Sequence, residues 1–177
     1  TPPPGDFPRV PDGVRSIWHI MAHHPVQYLA DCLMSPTCLI ILHAEADGLG
    51  VAIDELATKD VLTGLALNPR TRVGDCLDAI RQVDMIQIMT VEPGAQGRPF
   101  QPELLAKISQ VRARCSVPIA VDGGVNSGTI EAVARYCPKY IAVGSALRRS
   151  TAPVDTWKTL NRLVDITVGG VRADTGA

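Results

Sequence analysis

Aromatic residues, net charge and long apolar runs are all scarce in this chain. Only 4% of its 177 residues are aromatic, and the formal net charge is −1. Proteins that bind nucleic acid usually carry a basic face interleaved with aromatic side chains, so this composition argues against nucleic acid as a partner. The longest strongly apolar run, residues 38–42, is far shorter than the roughly 20 residues of a membrane helix. We therefore expect no membrane partner either.

The cysteines lack the spacing of a metal cage or a disulfide framework. There are five, without a CxxC or CxxH pair, at Cys32, Cys38, Cys76, Cys115 and Cys137. An odd number of cysteines scattered over apolar positions is typical of reduced thiols that pack as small apolar side chains. We expect a cytoplasmic protein and propose none of these thiols as a nucleophile.

The composition is that of one globular domain preceded by a proline-rich segment. The chain is 46% apolar and 20% charged, and its length suffices for one domain with a core. Residues 1–13 are predicted to be a leader without strands, because proline cannot donate to a sheet ladder. We expect the folded domain over residues 14–165 and a flexible tail over residues 166–177.

Strand and helix patterns alternate along the domain. Continuous Val, Ile and Leu content predicts strands buried on both faces at 14–21, 38–43, 62–68, 85–91, 118–122 and 140–144. Between them, apolar stripes at helical spacing predict core-facing helices, for example Phe100, Leu104, Leu105, Ile108 and Val111. Pro102 is expected in the first turn of one helix, and Asn126 or Ser127 as the cap of the next. This alternation favours a parallel sheet, either doubly wound or closed as a barrel.

Three strand ends carry small residues just before a helical pattern. They are IMTVEPGAQGRPF at 88–100, VDGGVN at 121–126 and VGSA at 143–146. Glycine allows backbone amides to approach an anion closely, and parallel strands bring their carboxyl ends to one edge. Together these ends predict a sugar-phosphate site.

With WHIM at 18–21, LHAEA at 42–46 and GLALNP at 64–69, these motifs resemble the ribulose-phosphate 3-epimerase family in order and spacing. The resemblance runs from about residue 14 to about residue 147, and residues 89–108 are its most specific part. It implies an α/β fold of (β/α)8 TIM-barrel type, incomplete here, with about six parallel strands alternating with helices. It also implies two further strand-helix units upstream, with a His-x-Asp pair that these residues do not contain.

The implied activity is that of an isomerase of the pentose phosphate pathway. Such an enzyme interconverts ribulose 5-phosphate and xylulose 5-phosphate through an enediolate, with a divalent metal (zinc, iron or manganese) as cofactor. The resemblance makes Asp122 a metal ligand and proton-transfer group, and His19 a metal ligand, and we expect the two side chains to meet at one mouth of the sheet, where the strands end. Both are also expected to contact the substrate, together with Gly94, Ala95, Gln96, Gly97, Gly123, Gly124, Gly144 and Ser145.

Several residues keep alternative interpretations. Met21 and Met89 match a thioether pair that lines the reacting centre in the family, or are plain core. His43 and Glu45 are mouth residues or support the site residues. His23 and His24 are expected in a solvated loop, Asp122 has the alternative role of a helix cap, and His19 that of a histidine bonded to a backbone carbonyl.

The function also keeps an alternative. Without the upstream pair, the chain is either completed by an upstream segment or a homo-oligomeric partner, or is a non-catalytic phosphate-binding or structural remnant. A decarboxylase of the related barrels is disfavoured, because the Asp-x-Lys-x-x-Asp array of that group is replaced here by HIMAHH at 19–24.

Overall fold

A six-stranded parallel sheet, curled into half of a barrel, is the framework of the chain. The structure, a computed structural model, describes residues 10–11, 13–92 and 98–174, with side chains described to residue 169. The strands are β1 (Ser16–Ile20), β2 (Thr37–His43), β3 (Leu62–Leu67), β4 (Met85–Met89), β5 (Ile119–Asp122) and β6 (Tyr140–Ala142). Their order in the sheet is their order in the chain, and every neighbouring pair is parallel. The predicted fold class, an incomplete TIM-barrel type, is confirmed.

Helices follow the strands and cover the outer face of the sheet. They are α1 (Val26–Leu33), α2 (Leu49–Ala57), α3 (Leu77–Ile80), α4 (Ala106–Arg112), α5 (Ile130–Ala134), α6 (Ser145–Arg148) and α7 (Pro153–Asp174). Short 3-10 turns, Val73–Cys76 and Pro102–Leu105, lead into α3 and α4. The predicted apolar stripes become core, with Leu105, Ile108 and Val111 at most 1% exposed.

Strand side chains alternate between two environments, as strand geometry requires. One set faces the helices and forms the larger core, which includes Ile20, Leu42, Leu65, Ile88 and Val121. The other set faces the inside of the half-barrel and forms a smaller cluster of Leu39, Ile41, Ala66, Met85, Met89 and Ala120. Because side chains alternate with a period of two, a polar strand residue that lies two positions from a member of the inner cluster also points into the barrel.

The start of α5 differs from its prediction. The cap position is Thr129, without a side-chain cap bond, so neither Asn126 nor Ser127 caps the helix. Instead, Oδ1 of Asn126 accepts a hydrogen bond from the Gly128 amide at 2.8 Å. The asparagine therefore closes a turn before the helix, a competing role that short polar side chains commonly take.

The ends of the chain are only partly described. Residues 1–9 and 12 of the predicted leader lie outside the described residues, as do residues 175–177 of the predicted tail. Helix α7 continues to Asp174, and its Leu160 is buried against the rest of the chain. Within the described ranges, no helix has both the length and the apolar content of a bilayer span.

The cysteines are all free thiols. Burial, with a smaller contribution from Asp31, raises the pKa of Cys32 to about 11. A thiol with a raised pKa is poorly ionised at neutral pH, which fits the packing role predicted for Cys32, whereas Cys137 is exposed and departs from that prediction.

Strands β1 and β6 are the two edges of the described sheet. Large side chains on these strands are unusually exposed to solvent for a barrel, since Ile17 is 60% and Tyr140 is 53% exposed. Exposed edges of parallel strands are ordinarily paired or covered. The opening of the half-barrel therefore lies between these two strands.

Candidate active site

Strands β1 and β5 bring His19 and Asp122 together at the carboxyl edge of the sheet. Nδ1 of His19 lies 3.7 Å from Oδ2 of Asp122, and their side chains are 17% and 29% exposed. Among the described contacts, Asp122 accepts from a side chain within the sheet, and His19 bonds to side chains; neither follows its alternative role of helix cap or carbonyl partner. The predicted meeting of these two residues at one mouth of the barrel is what the structure shows.

Gln87 on β4 connects the pair. Its amide nitrogen lies 3.2 Å from Nδ1 of His19, 3.3 Å from Oδ2 of Asp122 and 3.4 Å from the sulfur of Met89. A carboxylate only accepts hydrogen bonds, so the nitrogen and not the oxygen of the amide faces Asp122. The sequence interpretation missed Gln87, although it is the one polar residue of the strand Met85–Met89.

His43 on β2 extends the network away from Asp122. The Nε2 atoms of His19 and His43 are 2.8 Å apart, and the two rings are parallel within 10° with centroids 4.9 Å apart. This geometry is an edge-to-edge hydrogen bond between two imidazoles. Nδ1 of His43 lies 3.5 Å from Oε2 of Glu45.

One placement of the ring hydrogens satisfies all of these contacts. With Gln87 donating to Nδ1 of a neutral His19, the ring hydrogen is assigned to Nε2, which donates it to Nε2 of His43. His43 then carries its own hydrogen on Nδ1, which faces Glu45. A continuous chain of polar contacts thus runs from Asp122 to Glu45, with one donor and one acceptor at each step.

Glu45 is held at the far end of this chain as a carboxylate. It accepts from the backbone amide of Asn68 at 3.2 Å, from Nδ2 of Asn68 at 2.6 Å and from the hydroxyl of Thr71. Burial raises the pKa of Glu45, but the hydrogen bonds from His43, Thr71 and Asn68 outweigh it, so the pKa lies below the ordinary value. His43 and Glu45 therefore do more than line the mouth of the barrel, because their polar contacts also hold the His19 ring in position.

Lys107 fixes the turn that supplies these partners of Glu45. Its ammonium donates to the carbonyl oxygens of Asn68 and Pro69 at 2.6 and 2.9 Å. Burial lowers the pKa of Lys107, and nearby Glu45 opposes that effect. A lysine at 8% exposure is thus accounted for by two carbonyl partners.

The turn after Asp122 accepts only glycine. Gly123 has φ +118° and Gly124 has φ +65°, and a Cβ on Gly123 would lie 2.7 Å from Cγ2 of Val91. Thr90 secures the same turn, because its hydroxyl donates to the carbonyl of Asp122 at 3.0 Å and contacts that of Gly123 at 2.6 Å. The position of the Asp122 backbone is therefore set by packing and hydrogen bonding on both sides.

A cavity of about 620 Å³ opens beside this turn. Of the predicted phosphate contacts, Gly124 and Ser145 line it, and Gly144 directly precedes Ser145. Two cations that the sequence interpretation missed, Arg98 and Arg149, line the same cavity. Guanidinium groups suit phosphate oxygens, so the cavity has the chemistry of a phosphate site. Gly94, Ala95, Gln96 and Gly97, predicted to contact the substrate, lie outside the described residues.

The two predicted lining methionines have different environments. Met89 is 2% exposed inside the half-barrel, beside Gln87. Met21 is 44% exposed and lines a separate cavity of about 240 Å³ with His43 and Glu45. His23 and His24 are exposed, as the loop interpretation predicted.

The described residues do not fit a resident metal ion. They contain no group of three or more His, Cys, Asp or Glu side chains suited to hold one. His19 and Asp122 are two donors where a tight site usually has three or four from the protein, and both ring nitrogens of His19 already have partners. The expected zinc, iron or manganese stays a prediction.

Solved structures share the fold of this chain. It resembles 3-hexulose-6-phosphate synthase from Salmonella typhimurium with a TM-score of 0.61 and 17% identity, over 76% of this chain and 65% of that one. At this identity the likeness concerns the fold alone.

Sequence relatives identify the family. The model of the ribulose-phosphate 3 epimerase family matches residues 14–148. A ribulose-phosphate 3-epimerase of Encephalitozoon cuniculi is 36% identical over 75% of this chain and 60% of its own length. One from Schizosaccharomyces pombe is 32% identical over 82% of this chain and 65% of its own length, so the chain spans less than two thirds of either relative. The chain belongs to the ribulose-phosphate 3 epimerase family.

Proposed function

We propose that this chain carries the active-site edge of a ribulose-phosphate 3-epimerase-like isomerase, which interconverts ribulose 5-phosphate and xylulose 5-phosphate. The observation that carries the proposal is the position of Asp122 at the carboxyl edge of the sheet. Two residues later, Gly124 lines the cavity that also contains Arg98 and Arg149. Family membership supports the proposed substrate class. The cavity supplies a place for the phosphate, and Asp122 supplies a group for the carbon that reacts.

Asp122 acts as the proton-transfer group on one face of the sugar. In one direction of the reaction a carboxylate takes the weakly acidic proton from the carbon beside the ketone and leaves an enediolate, and in the other direction it returns a proton to the enediolate on the same face. Its side chain is 29% exposed at the carboxyl edge of the sheet, so a substrate can reach it there. Arg98 and Arg149 bind the phosphate and so fix the distance between the reacting carbon and Asp122.

Inversion also needs an acid on the opposite face. We propose that an upstream segment with the His-x-Asp pair, in the same polypeptide or in another chain, supplies it and fills the opening between β1 and β6. The exposed Ile17 and Tyr140 support this, because a barrel strand placed there would cover both. The share of each relative that the chain spans, 60% and 65%, leaves room for such a segment.

The alternative is a phosphate-binding protein without catalysis. The arginine-lined cavity favours it as a second candidate, since binding an anion there requires neither an acid nor a base. The two functions differ in what Asp122 does, because only the isomerase exchanges a proton through it.

Calorimetry with ribulose 5-phosphate tests the site that both functions share. We expect binding by the chain, weakened about tenfold or more by Arg149→Ala, because one charge-assisted contact to phosphate contributes at least about 1.4 kcal/mol. Arg162→Ala, at an exposed position on α7, is the matched control and should bind like the unaltered chain. Equal affinity in Arg149→Ala would place the phosphate elsewhere.

A further inference from the structure

We propose that the amide of Gln87 takes the place of a metal ion in this chain, bridging His19 and Asp122 so that the two groups are held together without a cation. The proposal concerns the same site as the proposed function but does not rest on it, because the bridge exists whether or not the chain is an isomerase.

The three atoms form a compact triangle. The Gln87 nitrogen lies 3.2 Å from Nδ1 of His19 and 3.3 Å from Oδ2 of Asp122, and those two atoms are 3.7 Å apart. A cation shared by a ring nitrogen and a carboxylate oxygen would lie about 2 Å from each, in the same notch. The amide and such an ion therefore compete for one space.

The hydrogen atoms of the amide make the competition direct. Each of its two N–H bonds has an acceptor, the lone pair of His19 Nδ1 and the carboxylate of Asp122, and those are the electron pairs that a metal would use. The other ring nitrogen of His19 already contacts His43 at 2.8 Å. In this arrangement His19 has no free lone pair for a metal.

The burial of Gln87 indicates that its amide has a specific polar role. Gln87 is 4% exposed, in a strand whose other members are Met and Ile. A buried amide without partners is costly, and an apolar side chain would fill the same inner face at no such cost. The acceptors that offset burial are His19 and Asp122, and the weaker contact to the sulfur of Met89 shares one of the same two hydrogens, so the polar role of Gln87 is directed at the site.

The bridge also sets the tautomer of His19. With Gln87 donating to Nδ1, the ring hydrogen stays on Nε2 and is donated to His43. If the donor is removed, Asp122 is left to accept the ring hydrogen on Nδ1 while Glu45, acting through His43, still favours it on Nε2, so the two tautomers become mixed. A side chain that only fills space would have no such effect.

Cobalt(II) titration of the chain, followed by visible absorption and calorimetry, tests the replacement. We expect the unaltered chain and His19→Ala to give the same titration. Gln87→Glu exchanges the amide donor for a carboxylate of the same length, which adds a third ligand, and should tighten Co²⁺ binding at least tenfold. The gain should vanish in Gln87→Glu combined with His19→Ala, and Gln110→Glu, exposed on α4, should show none. Tight Co²⁺ binding by the unaltered chain that is lost in His19→Ala would overturn the proposal.

Nitrogen NMR of the imidazoles is the second readout, and it needs no metal. We expect His19 to carry its hydrogen on Nε2 in the unaltered chain and to shift toward Nδ1 in Gln87→Leu, with Gln110→Leu as the control. An unchanged tautomer in folded Gln87→Leu would reduce Gln87 to a packing residue and overturn the proposal.

Discussion

At the scale of single residues, Asp122 is the group on which the proposed chemistry depends. Asp122→Asn keeps the size of the side chain but removes the carboxylate, so it cannot take a proton from the sugar. In a catalytically complete protein we expect isomerisation to fall by a factor on the order of 100 to 10,000. Ribulose 5-phosphate should still bind within about threefold, because the phosphate contacts are separate. A loss of binding equal to the loss of rate would assign Asp122 to substrate binding instead.

Glu45 gives a pH-dependent prediction. Its folded pKa lies below the ordinary value of 4.5, because hydrogen bonds from His43, Thr71 and Asn68 outweigh burial. A lowered carboxyl pKa stabilises the folded state above the ordinary value, and the stabilisation is lost as the pH falls through the folded pKa. Glu45→Gln should therefore lower the free energy of unfolding at pH 7, and the difference from the unaltered chain should shrink below about pH 4.

Urea unfolding at pH 7 and pH 3.5 measures this difference. Glu131→Gln, on the exposed side of α5, is the control and should change little at either pH. A Glu45→Gln deficit that is larger at pH 3.5 than at pH 7 would contradict the role of these hydrogen bonds.

Among the elements, the turn between β5 and α5 is the most constrained. Gly123→Ala introduces a methyl group at φ +118° and 2.7 Å from Val91, so we expect a loss of about 2 kcal/mol or more in the free energy of unfolding. Gly50→Ala in α2 is the matched control, because nothing lies within 4 Å of its Cβ position among the described residues. It should be neutral or stabilising by up to about 1 kcal/mol. Equal stabilities in urea would show that the turn tolerates a side chain.

The elements also show how far the sequence predicts the structure. All six strands were predicted, because strands buried on both faces are continuous apolar runs, but β4 and β6 end two residues early. There the chain leaves the sheet to form the site, and no change in hydropathy marks that point. The predicted cap of α5 was wrong because the Asn126 side chain accepts a hydrogen bond within its own turn instead of capping the helix. The sequence does not decide between these two hydrogen bonds.

Only the site residues that lie at strand ends could be predicted from the sequence. His19 and Asp122 were predicted to meet because parallel strands share one edge. The His19–His43 bond and the Gln87 bridge depend on which side-chain atoms lie 2.8 to 3.3 Å apart, and a sequence does not contain that information. Arg98 and Arg149 were missed because nothing in their local sequence distinguishes them from surface cations.

For the whole molecule, the open side of the half-barrel leads to a prediction about activity. The described sheet ends at β1 and β6, and Ile17 and Tyr140 are exposed there. One carboxylate serves one face of the sugar, so we expect the 177-residue chain alone to show little or no isomerisation. Two upstream strand-helix units, added in cis or in trans, should restore activity and raise the melting temperature, because they cover the exposed edges. Thermal unfolding followed by circular dichroism, with and without these units, checks the second part.

Proton NMR of ribulose 5-phosphate in D₂O, with the chain completed by those two units, measures whether Asp122 transfers the proton. If Asp122 transfers the proton on one face, xylulose 5-phosphate should form with deuterium at C3, and Asp122→Asn should slow its formation at least about 100-fold. Isomerisation that continues undiminished in Asp122→Asn, or rapid isomerisation by the 177-residue chain alone, would contradict this role of Asp122.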